Sequence, residues 1–208
     1  MIRHLHEARA RAKAHGWGPV LVLIRQTLRD RMTNPWHLMY WIPTTQVNRV
    51  PLPLNASFMV ITDPMRELNP AQRRSLIDAL GPGSDKQAEE RLASGALLHV
   101  LFVDDAVAGT LFTVSGAARR FQHMVLTDGD SMVIDARIVP AFRGQGLYPV
   151  LLAHAADALR AYGQDRLYID TLETNTASLR AYEKVGFRFL TRYRVSWRRQ
   201  YRFAEAPL

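Results

Sequence analysis

Residues 135–187 constrain the fold more than any other stretch, because they read strand, glycine turn, helix, strand, helix in unbroken order. Met132, Val133, Ile134, Ile138 and Val139 make a β-branched-rich run of strand character, and Pro140 ends it. Arg143, Gly144, Gln145 and Gly146 turn the chain. Beyond them Leu147, Val150, Leu151, Ala155, Ala158, Leu159 and Tyr162 recur at helical spacing, with one face available to a core. Glycines at a strand-to-helix junction leave backbone N–H groups uncovered where the helix dipole favours an anion. Pro149 removes one donor from that first turn, and Arg143 adds a cation. Taken alone, the turn fits a pyrophosphate cradle or a purely structural corner.

Two phosphate-binding patterns are excluded by spacing. A P-loop ends in Gly-Lys-Ser/Thr, and no lysine lies near this turn. The dinucleotide fingerprint needs a third glycine, and Tyr148 stands at or beside that place.

Arg143-Gly144-Gln145-Gly146 closely resembles the acyl-CoA-binding turn of the GCN5-related N-acetyltransferases, Arg/Gln-x-x-Gly-x-Gly/Ala. A second motif of that family follows in order: Asn175, Ala177, Ser178, Leu179, Tyr182, Glu183, Lys184, Val185, Gly186, Phe187. The resemblance covers roughly residues 96–190 and extends less clearly back to about 56. Tyr148 departs from it, since the family prefers Gly or Ala there, and so narrows the space beside the phosphates.

The resemblance implies acetyl-CoA as co-substrate and no metal. Pantetheine would pair with the backbone of Arg137, Ile138 and Val139 as an added strand. Pyrophosphate would meet the amides of Arg143, Gly144, Gln145, Gly146, Leu147 and Tyr148. A backbone N–H at Ile138 or Val139 would polarise the thioester carbonyl. Asn175 would cap the second helix while touching the CoA arm. Tyr182 would protonate the leaving thiolate. Asp170 stands five residues before Asn175, where amino-terminal acetyltransferases of this family carry a glutamate, and is the expected base. Asp135 and Glu173 are the other carboxylates near the cleft.

Composition bounds the rest. A chain of 208 residues holds one sizeable domain and a small appendage. With no cysteine, disulfides, thiolate catalysis and cysteine zinc sites are excluded. No apolar run reaches the ~18 residues of a membrane span, and no signal-peptide pattern opens the chain, so a cytoplasmic location is expected. Six of the eight net positive charges fall in residues 1–54.

Residues 1–16 read as a short basic helix. Val20, Leu21, Leu23, Ile24, Leu28 and Met32, set against Arg25, Arg29 and Arg31, read as an amphipathic one. With Trp36, Tyr40 and Trp41 following, residues 18–41 either lie on an anionic membrane surface or dock on the core. Pro43, Pro51 and Pro53 mark a connector. Residues 1–54 are therefore expected as a basic helical extension and 55–208 as the acetyltransferase domain. Ala56–Thr62 reads as a strand. Asn69-Pro70 starts a helix whose buried face is Leu76, Ile77 and Leu80. A second short helix covers 86–93. Leu97–Val103 and Val107–Val114 form a hairpin around Asp104-Asp105, with Gly109 marking a bulge or a close backbone approach. His123 reads as a surface histidine. Leu167–Leu172 and Phe189–Trp197 are the last strands.

The expected architecture is α+β, a mixed and mostly antiparallel sheet flanked by helices. The expected reaction is acetyl-CoA-dependent N-acetylation of a primary amine, by a monomer or homodimer without a nucleic-acid partner. A longer-chain acyltransferase at a membrane surface and a non-catalytic acyl-CoA-binding module are the rival readings.

Overall fold

The computed structural model of the protein describes residues 35–81, 85–116, 120–121, 124–195 and 201–203. Its frame is one eight-stranded sheet in the order β10-β9-β1-β8-β7-β4-β3-β2. The strands are β1 (His37–Pro43), β2 (Ala56–Ile61), β3 (Leu97–Val103), β4 (Ala106–Ser115), β7 (Asp130–Ile138), β8 (Arg166–Leu172), β9 (Arg188–Val195) and β10 (Tyr201–Phe203). A two-residue ribbon, β5 (Arg120–Phe121) with β6 (Met124–Val125), stands apart from it. The helices are α1 (Pro64–Glu67), α2 (Pro70–Leu80), α3 (Asp85–Ala93), α4 (Leu147–Ala161) and α5 (Thr176–Val185). The sheet is antiparallel at every junction but β7–β8, the one joined by a helical crossover.

Local chemistry accounts for most boundaries. Asn69 caps α2 through a reciprocal box: its side chain accepts from the Gln72 N–H (2.9 Å), and Gln72 reaches back to the Asn69 N–H (3.2 Å). Asp104 and Asp105 both hold positive φ, 48° and 62°, which gives the two-residue β3–β4 turn the twist its strands need. Gly186 closes α5 in the left-handed region at φ 97°.

Helices cover both faces of the sheet. Leu101, Leu111, Val133, Leu167 and Ile169 pack under Leu151, Ala155 and Leu159 of α4 and under Tyr182 and Val185 of α5. On the other face Leu98, Val100, Phe102 and Phe112 pack with Leu76 and Leu80 of α2. Ile77 does not join them as the sequence suggested. It is 52% exposed, because the 76/80 pair takes the inward stripe and the next residue turns about 100° away from it.

The principal departure from the sequence reading lies at the start of the described chain. Residues 37–43, placed by the sequence reading in the helical extension, are strand, and the sheet therefore reaches past the boundary expected at 54/55. β1 lies between β8 and β9 and is buried on both faces, with Tyr40 and Ile42 toward α4 and α5 and Met39 toward Leu126, Met132 and Tyr193. A strand covered on both sides is apolar at successive positions, so in sequence it merges with a preceding helical pattern. The helices expected over residues 1–16 and 18–34 lie outside the described residues, as does His123. Among the described residues no helix is long and apolar enough to cross a membrane.

One irregularity opens the sheet. β7 and β8 pair at three positions, Asp130↔Arg166, Ser131↔Leu167 and Met132↔Tyr168. Two residues on, β7 bulges against β4: Thr113 faces Val133 and Phe112 faces Asp135, which leaves Ile134 without a partner. A bulge bends its strand. β7 then follows β4 as far as Ile138, β8 follows β1 as far as Leu172, and a gap opens between them.

Candidate active site

The gap is floored by backbone groups that the sheet does not use. Val139 donates its N–H to the Ala108 carbonyl at 2.9 Å, so it is committed to β4. By the alternation of an antiparallel ladder, the N–H and C=O of Ile138 point the other way, into the gap. Of the two oxyanion donors expected, Ile138 alone is free of the ladder. Arg143 confirms the direction, because its Nε donates to the Ile138 carbonyl at 3.1 Å. The Arg137 side chain turns elsewhere: Nη2 meets Asp135 Oδ2 at 2.6 Å and Nη1 donates to the Leu80 carbonyl at 3.1 Å. Arg91 also meets Asp135 Oδ2, at 2.9 Å. Burial works to raise the Asp135 carboxyl, but the Arg91 hydrogen bond and the Arg137 charge outweigh it and hold it below the usual range. Asp135 is thereby held as an anion between the Arg91 and Arg137 guanidinium groups.

At the mouth of the gap the turn is built as the glycines suggested. Gly144 and Gly146 hold φ of 79° and 72°, and a Cβ at either would meet nothing within 4 Å. Gly146 is the N-cap of α4, and no side chain caps it. The N–H groups of Gly146, Leu147 and Tyr148 thus have no helical acceptor, while Pro149 has no N–H to satisfy. Gln145 closes the loop on itself, Nε2 to the Ala141 carbonyl at 3.3 Å. Leu147 is buried and anchors the helix in the core.

Across the gap α5 presents its inner stripe. Asn175 caps it, accepting from the Ser178 N–H at 3.3 Å and donating to Thr171 Oγ1 at 3.1 Å. Tyr182 is 1% exposed and donates its hydroxyl to the Asp170 carbonyl at 3.3 Å. Its ring lies 6.4 Å from that of Tyr148 and 5.4 Å from that of Tyr40. Burial first, then the neighbouring Tyr148 and Asp170, push the Tyr182 phenol far above its ordinary value, so it stays protonated at any working pH. Burial likewise raises Tyr148, against hydrogen bonding with Tyr182 and Ser178. A cavity of ≈ 500 Å³ is lined by Tyr40, Thr176, Leu179, Arg180, Glu183, Gly186 and Phe187, none of them in the glycine turn or β7.

Asp170 links the two faces of the sheet. Its carbonyl takes the Tyr182 hydroxyl, and its side chain projects to the opposite face, 17% exposed. There Oδ2 accepts a hydrogen bond from the buried Tyr193 hydroxyl and lies 3.5 Å from His37 Nδ1. The rings of His37 and Tyr193 stack at 5.0 Å and 18°. Neither residue stands out in the sequence. They meet Asp170 only through register, since His37 faces Leu172 on one side and Tyr193 on the other. Among the described residues no group of three His, Asp or Glu is placed to hold a metal.

The chain is similar to known proteins in sequence and in fold. The sequence model of the Acetyltransferase (GNAT) family matches residues 64–187. Streptothricin acetyltransferase from Streptomyces lavendulae is 36% identical over 55 residues, which are 26% of this chain and 29% of that relative's length. A solved GCN5-related glucosamine N-acetyltransferase region of a fungal multi-domain β-N-acetylglucosaminidase aligns with 82% of this chain and 22% of its own, at 16% identity and TM-score 0.55. The IAA acetyltransferase from Bacillus cereus aligns with 64% of this chain and 77% of its own, at 21% identity and TM-score 0.46.

Proposed function

The chain belongs to the GNAT acetyltransferase family, and from that premise we propose that it transfers the acetyl group of acetyl-CoA to a primary amine by direct attack on the thioester. The observation that carries this reading is the gap itself: an uncapped, side-chain-free helix N-terminus at its mouth and a buried, protonated tyrosine at its inner end.

Each part has a task in the reaction. The free amides from Gly146 to Tyr148, with Arg143 beside them, receive the pyrophosphate. The gap-facing backbone at Ile138 pairs with the pantetheine arm and offers an N–H to the thioester oxygen, where negative charge develops as nitrogen attacks carbon. Collapse breaks the C–S bond, and Tyr182 gives its proton to the thiolate. Burial of the site disfavours a thiolate as it does a phenolate, which favours the protonated thiol as product. On the other face, toward which the Asp170 side chain projects, the attacking amine gives up its proton.

Calorimetric titration with acetyl-CoA and with a long-chain acyl-CoA is the first test, followed by an amine screen read as thiol release. The screen begins with streptothricin, the acceptor in the name of the relative above. Acetyl-CoA binding with amine-dependent thiol release is the expected result. Tyr182→Phe should keep the binding and lose on the order of 10²-fold or more in kcat. Preference for the long chain, or binding without transfer to any amine, overturns the reading in favour of a longer-chain acyltransferase or a binding module.

A further inference from the structure

Asp170 is poorly placed to meet an amine itself. Its Oδ2 is already engaged by the Tyr193 hydroxyl and faced by His37, and only 17% of the side chain is exposed. His37 is the more open of the two, at 28%, and lies on the face of the sheet opposite Tyr182. Its Nδ1 points at the carboxylate, and among the described residues nothing occupies Nε2. A carboxylate beside one imidazole nitrogen keeps the proton there and leaves the lone pair on the other.

We infer that His37 Nε2 is the atom that accepts the amine proton in the proposed transfer, and that Asp170 and Tyr193 act through it as positioning residues. The inference rests on the acetyl-transfer reading above. Three strands hold the assembly. His37 of β1 and Asp170 of β8 are diagonal neighbours, close enough for side chains of their length to meet. Tyr193 of β9 is directly opposite His37, so its ring supports the imidazole from one side while its hydroxyl fixes the carboxylate. The 3.5 Å between Nδ1 and Oδ2 is long for a hydrogen bond, as such contacts commonly are before a substrate tightens them.

The proton accounting closes. The amine nitrogen forms the new C–N bond and loses its proton to His37 Nε2. The C–S bond breaks, and sulfur receives the Tyr182 proton. His37 then releases a proton to solvent, and Tyr182 regains one. The products are the amide and free CoA thiol. Acid and base stand on opposite faces of β8, joined by one residue whose carbonyl takes the first and whose carboxylate orients the second.

The test pairs kinetics with spectroscopy on the full-length chain. His37→Ala should lower kcat by on the order of 10²-fold or more, leave the KM for acetyl-CoA unchanged, and recover part of the lost turnover on addition of free imidazole. Side-chain ¹⁵N NMR should show His37, identified by the signals lost in His37→Gln, as the Nδ1–H tautomer in the native protein. In Asp170→Asn that preference should disappear and kcat should fall with it. An active native enzyme whose His37→Ala and His37→Gln variants turn over within threefold of it overturns the inference alone. A His37 tautomer unchanged in Asp170→Asn overturns the positioning role. A native protein that binds acetyl-CoA and acetylates no amine overturns the acetyl-transfer reading, and the inference with it.

Discussion

At the scale of single residues, the sheet carries a second histidine whose surroundings are opposite to those of His37. His99 on β3 is fully buried, with Nε2 2.9 Å from Thr113 Oγ1, the Phe58 ring 6.0 Å away and no partner for Nδ1. Burial pushes its imidazole down to about 4 from the ordinary 6.5. Between those values the unfolded chain binds a proton that the folded chain refuses, so stability falls as pH falls. The full loss, about 3 kcal/mol at 1.36 kcal/mol per unit, is reached below pH 4. Urea unfolding between pH 4 and 7 should show this slope in the native protein and a flatter one in His99→Gln. An equal slope in both would assign the acid sensitivity to other groups. Tyr182, by contrast, was legible from its motif, because the helix that carries it is local in sequence. His37 and Tyr193 were not, because their meaning depends on strands paired more than 120 residues apart.

At the scale of elements, two glycines do different work in the same unit. At Gly109 an added Cβ would fall 2.6 Å from Ile138 Cδ1 and 3.2 Å from both the Arg137 carbonyl oxygen and Leu151 Cδ2. A side chain there would have to displace Ile138 Cδ1 and press on the β7 backbone and on α4. At Gly146 the added atom meets open space, and only the positive φ objects. Gly109→Ala should cost about 1–3 kcal/mol by overpacking and move the end of β7 that forms the gap. Gly146→Val should cost about 1–2 kcal/mol for the left-handed backbone, yet abolish acetyl-CoA binding because the new side chain stands over the free amides. Unfolding midpoints and calorimetry on the two variants separate the cases; unimpaired binding by Gly146→Val would remove the turn from the site. The sequence marked Gly109 as a bulge or a close approach and Gly146 as part of a turn at a helix start, and the structure has both, since turn chemistry is written in adjacent residues. It could not place the bulge at Ile134, which exists only against β4.

At the scale of the whole molecule, the sheet is assembled from pieces of very different contact range. β3 and β4 close across a two-residue turn, and β2 and β7 add to their outer edges. β1 must instead wait between β8 and β9, both of which come from the far end of the chain. Closing a loop of more than 120 residues rather than a hairpin costs about 2–3 kcal/mol more in chain entropy, which is recovered only once both partner strands are in place. That long-range closure also joins His37 to Asp170 and Tyr193, so the amine side of the site is complete only when the sheet is. Contacts of this range form late. In refolding followed by pulsed hydrogen exchange, amides of β3 and β4 should gain protection before those of β1, and the stacking of His37 on Tyr193 should appear with the slower phase. Protection of β1 before or together with the β3–β4 hairpin would mean that the inserted strand organises the sheet rather than completing it.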